Sequence, residues 1–110
     1  WVASSTDGTV PDLVLKLMGG YCFKVITNPG STAPTANYDI TLTDPEDAGL
    51  DAMAGLLLNR HTTTTEQVYP LISGSSIPIW LDGGSYTLTL ANNSVNSATG
   101  RIIFYLMSGL

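Results

Sequence analysis

His61 is the one histidine of the chain, so a serine–histidine–aspartate relay would have to run through it. Serines and aspartates are plentiful. None of the serines, however, lies in the Gly-x-Ser-x-Gly pattern that presents a nucleophile on a sharp turn. His61 follows Arg60 at the head of four threonines, the ordinary setting of a loop or strand-edge histidine. Asp44, Glu46, Asp47 and Asp51 form the acidic cluster. A hard cation needs several oxygens converging on one point. Pro45 falls where a flexible ligand turn would be needed, and the series stops without a bidentate glutamate. It is expected to be a solvated acidic turn, with Asp47 capping the short helix that follows. Cys22 sits between Tyr21 and Phe23 and reads as a small buried hydrophobe, and a single cysteine forms no internal disulfide. Asn92-Asn93-Ser94 matches the glycosylation acceptor pattern but, without a secretion signal, reads as polar loop. Trp80 and the tyrosines could form a sugar-stacking platform. They are spread over separate segments and mostly alternate as core residues do, so packing is the expected role. On this reading no residue is assigned to catalysis, to a metal or to a cofactor.

The elements that would position these residues are short strands. Leu13, Leu15 and Leu17 alternate within a strand over about residues 10 to 18. Met18-Gly19-Gly20 turns the chain into a strand over Tyr21 to Thr27, and the pair reads as a hairpin with Tyr21, Phe23 and Val25 on one face. Asn28 to Asn37 is a Pro- and Gly-containing loop. Tyr38, Ile40 and Leu42 alternate with Asp39, Thr41 and Thr43. Leu50, Met53, Ala54, Leu57 and Leu58 have the spacing of one helix face, which predicts a short helix or helical turn lidding the core, weakened by Gly49 and Gly55. His61 to Tyr69 reads as a strand that Leu71-Ile72 extends past Pro70. Ile77 to Leu81 is another, with Pro78 marking an edge. Asp82-Gly83-Gly84 leads into a closing hairpin of Tyr86–Leu90 and Arg101–Met107, joined by the polar connector Ala91–Gly100. Both faces of the last strand are apolar. Ile102, Phe104 and Leu106 should fill the core, and Ile103, Tyr105 and Met107 should be covered by the helical turn or by a neighbouring subunit. About seven or eight short antiparallel strands with turn signals every ten residues or so predict an all-β sandwich or jelly roll. Residues 1–110 form one domain, in which Trp1-Val2-Ala3 reads as the end of an incomplete N-terminal strand.

Bulk composition narrows the function classes. Hydrophobic residues make up 44% of the chain and charged residues 12%, so the surface must be built largely from Thr, Ser, Asn and Gly. Such a surface loses little on desolvation, which favours a subunit of an assembly. The net charge is −5, and Lys16, Lys24, Arg60 and Arg101 are scattered, so no basic stripe tracks a phosphate backbone. No nucleic-acid partner is expected, nor a membrane, since no apolar run has the length of a span.

Several stretches occur in a recognisable order: Val25-Ile26-Thr27-Asn28-Pro29-Gly30, Ala33-Pro34-Thr35-Ala36-Asn37-Tyr38-Asp39-Ile40-Thr41-Leu42-Thr43-Asp44, Gly49-Leu50-Asp51, Asn59-Arg60, Thr65-Glu66-Gln67-Val68 and Asn96-Ser97-Ala98-Thr99-Gly100-Arg101-Ile102. Together they resemble a family of small virion structural proteins of tailed bacteriophages, over about residues 1 to 107. The resemblance implies a non-enzymatic capsid decoration or cement protein that binds the phage major capsid protein and copies of itself. A trimer is favoured, on the outer surface of the head, after assembly in the host bacterial cytoplasm. It brings no catalytic residues. The alternative is a tail-associated or fibre module that binds a carbohydrate or receptor. A small hydrolase using His61 is the third reading.

Overall fold

A computed structural model describes residues 1–72 and 74–108. Among these the chain is all-β with no helix. Its strands are β1 (Leu13–Leu17), β2 (Gly20–Pro29), β3 (Asp39–Thr43), β4 (Glu66–Val68), β5 (Leu71–Ile72), β6 (Ser75–Ser76), β7 (Ile79–Leu81), β8 (Gly84–Ala91) and β9 (Gly100–Ser108). The first sheet has the order β1-β8-β3, antiparallel throughout. In the second, β9 runs antiparallel along β2 from Gly20↔Ser108 to Pro29↔Gly100. A strand has only two edges, so β4 and β7 lie end to end on the other side of β2. β5 and β6 form a small separate ribbon.

The two sheets face one another as a sandwich. Ile40 and Leu42 of β3 and Tyr86, Leu88 and Leu90 of β8 meet Cys22 and Val25 of β2 and Leu81 of β7 in one buried cluster. Their period-two spacing is what sequence alternation predicts for a half-buried strand. β7 pairs only with β2, at the sheet edge to which Pro78 points.

Three pairings differ from the expected ones. β1 pairs with β8, not with β2. β8 and β9 belong to opposite sheets, so the closing pair is no hairpin: the Ala91–Gly100 connector crosses between sheets. Only Glu66–Val68 of the expected strand over His61 to Tyr69 pairs as a strand, and residues 62–64 bend. The alternation along β2 also breaks. A bulge between Cys22 and Lys24 places Phe23 opposite no single partner, so Cys22 and Val25 both point inward and Phe23 points out.

The segment with helical spacing is instead a chain of four-residue turns, with Ala54 N–H bonded to the Asp51 carbonyl, Leu56 to Met53 and Leu58 to Gly55. Ala54 and Gly55 have φ of 52° and 77°, in the left-handed region that a right-handed helix cannot include. The Asp51 carboxylate accepts from the N–H groups of Met53 and Gly55 and so fixes the first of these turns. Met53 and Leu57 still reach the core, but Leu50, Ala54 and Leu58 are exposed.

Candidate functional site

The chemistry-bearing residues do not converge. His61 is exposed, and its Nδ1 accepts from the N–H groups of Thr63 (3.1 Å) and Thr64 (2.9 Å). Its own N–H donates to Glu66 Oε1 at 2.7 Å, beside the Arg60–Glu66 ion pair at 3.7 Å. In a relay the ring Nδ1 would donate to a carboxylate. Here it closes the turn that leads into β4.

The acidic residues each organise their own backbone. Asp44 accepts from the Glu46 N–H and Asp47 from that of Gly49, two short turns of the Asx type. Asp47 therefore caps a turn rather than a helix. Asp51 does most: Oδ1 accepts from Leu42 (3.1 Å) and Met53 (3.0 Å) and Oδ2 from Gly55 (2.9 Å). With Ala52 N–H donating to Leu42 O and Ile40 N–H to Leu57 O, the turn segment is tied along the outer edge of β3. Among the described residues, no three of His, Cys, Asp or Glu gather as metal ligands would.

Asn93, read from the sequence as polar loop, is the other polar organiser. Its side-chain oxygen accepts from Thr35 N–H at 2.9 Å and its amide donates to Gly8 O at 2.6 Å, so one residue joins three loops at one end of the sandwich. Asn92 donates its side-chain amide to Asp39. Within the same end, hydrogen bonds from the Thr9 N–H and hydroxyl hold the Asp7 carboxyl below its usual range.

Cys22 is buried, and burial raises its thiol above the usual range, which leaves little of the nucleophilic thiolate. Burial likewise pushes the Tyr38 phenol up to about 12, with the Glu66 carboxylate adding to the shift and the Arg60 guanidinium opposing it.

The aromatic residues depart most from expectation. Tyr38 and Tyr86 are core, but Trp80 is 50% exposed. It lies on the outer face of the second sheet. Trp80 and Tyr21 are paired across β7 and β2, with ring centroids 4.9 Å apart edge to face, and Met107 continues the same row on β9. The Trp80 Nε1–H donates to Asp82 Oδ1 at 2.6 Å. Beside this row Phe23, turned outward by the bulge, meets Tyr105 at 6.1 Å, and Lys24 Nζ stands 4.6 Å from the centre of the Tyr105 ring. The turn segment lies at the β3 side of the sandwich and does not cover this face. The bulge was the missing signal: without it Phe23 would point inward, and the outward aromatic cluster would not form. Chemically the face offers apolar and π surface on a rigid sheet, with Lys24 and Asp82 at its margins.

Comparison of the chain with known protein families, curated proteins and solved structures gives no match.

Proposed function

We propose that this chain is a non-enzymatic structural subunit of a bacteriophage virion, a head decoration or cement protein that grips neighbouring coat subunits. The resemblance in ordered motifs supplies the virion and the head. The observation that carries a docking role is the exposed row Trp80–Tyr21–Met107 with Phe23 beside it. Exposed aromatic clusters on a rigid scaffold are the usual anchors of protein interfaces. The low charge of the chain lowers the cost of covering that face. Copies of the chain gathered as a trimer on local threefold positions fit the same reading.

The test is a reconstruction of particles that contain the chain, with and without Tyr21→Ser and Trp80→Ser. Wild type should give density on the outer head surface. The double variant should fold with nearly unchanged melting temperature and leave the sites largely empty. Density confined to the tail moves the assignment, and absence from purified particles removes it. Half-exposure of Trp80 also favours a second reading, a carbohydrate- or receptor-binding module of the tail. Glycan-array binding that is lost in Trp80→Ala would establish that one instead.

A further inference from the structure

Side chains that accept from a backbone N–H two residues ahead recur along this chain. Asp7 accepts from Thr9, Asp44 from Glu46, Asp47 from Gly49 and Asp51 from Met53. His61 does the same with a ring: Nδ1 accepts from Thr63 at 3.1 Å and from Thr64 at 2.9 Å. A proton acts differently on the two kinds of turn. A carboxyl group keeps an accepting oxygen whether or not it is ionised. An imidazole that accepts at Nδ1 is neutral and carries its proton on Nε2, so the next proton can only go to Nδ1. There it turns the acceptor into a donor that faces two other donors. Mildly acidic solution is where imidazoles take up that proton.

Little else fixes this loop. Residues 61–65 bring no apolar side chain to the core, and His61, Thr63, Thr64 and Thr65 are exposed. Order therefore rests on hydrogen bonds. Thr62 Oγ1 donates to Pro34 O, and Thr65 Oγ1 lies 3.0 Å from Asn28 Oδ1, which ties the loop to the Asn28–Asn37 segment. The loop runs directly into β4, whose three residues pair with β2 from Thr27↔Glu66 to Val25↔Val68. The charged and titratable groups around His61 are Arg60 and Glu66 of its own segment, with Tyr38 and Asp39 at the start of β3. The Asn28–Asn37 segment contributes none.

We propose that His61 is a pH-sensitive latch on residues 61–65. While the ring is neutral, Nδ1 holds the Thr63 and Thr64 N–H groups and the loop lies closed against Asn28–Asn37. When the ring is protonated both bonds are lost, the loop opens, and the first β4 pair, Thr27↔Glu66, loosens with it. The sign follows from linkage: a group that must be neutral in the closed form favours closing at neutral pH and opening as pH falls. The latch works at one end of β2. Tyr21 and Trp80 lie at the opposite end, so the device is independent of the docking reading.

NMR of the folded protein at about pH 7.5 and about pH 5 tests the latch. Long-range nitrogen–proton spectra of the neutral ring should place its proton on Nε2. Backbone order parameters of Thr62 to Thr65 should be about 0.85 at the higher pH and fall below about 0.6 at the lower. His61→Asn supplies an oxygen in the place of Nδ1 that accepts from the same two N–H groups without titrating, so its loop should stay ordered at both pH values. His61→Ala removes the acceptor, and its loop should be mobile at both. Amide signals along β2 and β9 should stay dispersed throughout, as they do in a folded variant. A proton on Nδ1 of the neutral ring overturns the proposal. So does a loop that stays ordered in acid, or in His61→Ala at the higher pH. Acid loosening that persists in His61→Asn overturns it too, and assigns the response to Glu66, whose Oε1 accepts from the His61 N–H at 2.7 Å.

Discussion

The two long sides of the sandwich are finished in opposite ways. At the β3 side the chain covers its own edge. Asp51 and the turns around it satisfy the β3 backbone, and Met53 and Leu57 plug the gap between sheets. At the β1–β9 side the described residues leave the β9 edge unpaired beyond Gly100, and the gap is an open groove lined by leucines and Phe104. A closed edge needs both a polar partner for its backbone and an apolar plug for its core. The turn segment supplies both through one carboxylate and two side chains, and nothing described does so on the other side. The contrast separates a side that the chain closes itself from one that the described residues leave open.

That contrast breaks most clearly at Leu57. It is fully buried, and Leu57→Ala should cost about 2–5 kcal/mol in chemical denaturation. The same truncation at Leu13, which is 41% exposed in the groove, should cost under about 1 kcal/mol. Equal costs would mean that both sides support the lone fold alike. Asp51→Ala comes next. It leaves three backbone N–H groups without their acceptor, so a loss of about 2–4 kcal/mol is expected, with Asp51→Asn intermediate because its amide still accepts through one oxygen. Exchange should quicken at Leu42 and Gly55 and stay unchanged along β9.

The smallest effect is a pH dependence on the closed side. The folded Tyr38 phenol is raised from 10.0 to about 12, chiefly by burial. The unfolded chain therefore loses this proton first as the solution becomes alkaline. The stability contributed is complete below the unfolded value and is lost as pH rises from 10.0 through about 12, on the order of 2–3 kcal/mol in all. Tyr86, also raised by burial, acts in the same direction. Denaturation midpoints of Tyr38→Phe should thus fall less steeply over that window than those of wild type, though not become flat.

Much of the strand content was legible because alternation is local. Ile40 and Leu42, and Tyr86, Leu88 and Leu90, point inward as their spacing requires. Pairing was not legible. Turn signals at Met18-Gly19-Gly20 predict a hairpin, but a turn also serves where the chain steps from one sheet to the other, and β1 and β2 do just that. The helix-like spacing after Leu50 failed because Ala54 and Gly55 take a left-handed backbone that a right-handed helix excludes, and apolar spacing carries no mark of it. The outward aromatic face was hidden for a different reason. An uninterrupted alternating run carries no mark of a bulge, and a single extra residue at Phe23 reverses which of its neighbours meet solvent.

The pairing of β2 with β9 also sets a timetable. β2 spans Gly20–Pro29 and its long partner spans Gly100–Ser108, while β1 and β3 both wait for β8. During synthesis neither long pairing can zip until the later part of the chain has left the ribosome, because both join early residues to late ones. Loop closures of that length come before any contact that rewards them, which places folding in the slow, millisecond-to-second range of sandwiches. Until β9 arrives, β2 has only the short strands β4 and β7 along one edge, and the yield of soluble protein should depend on how quickly the last strands follow.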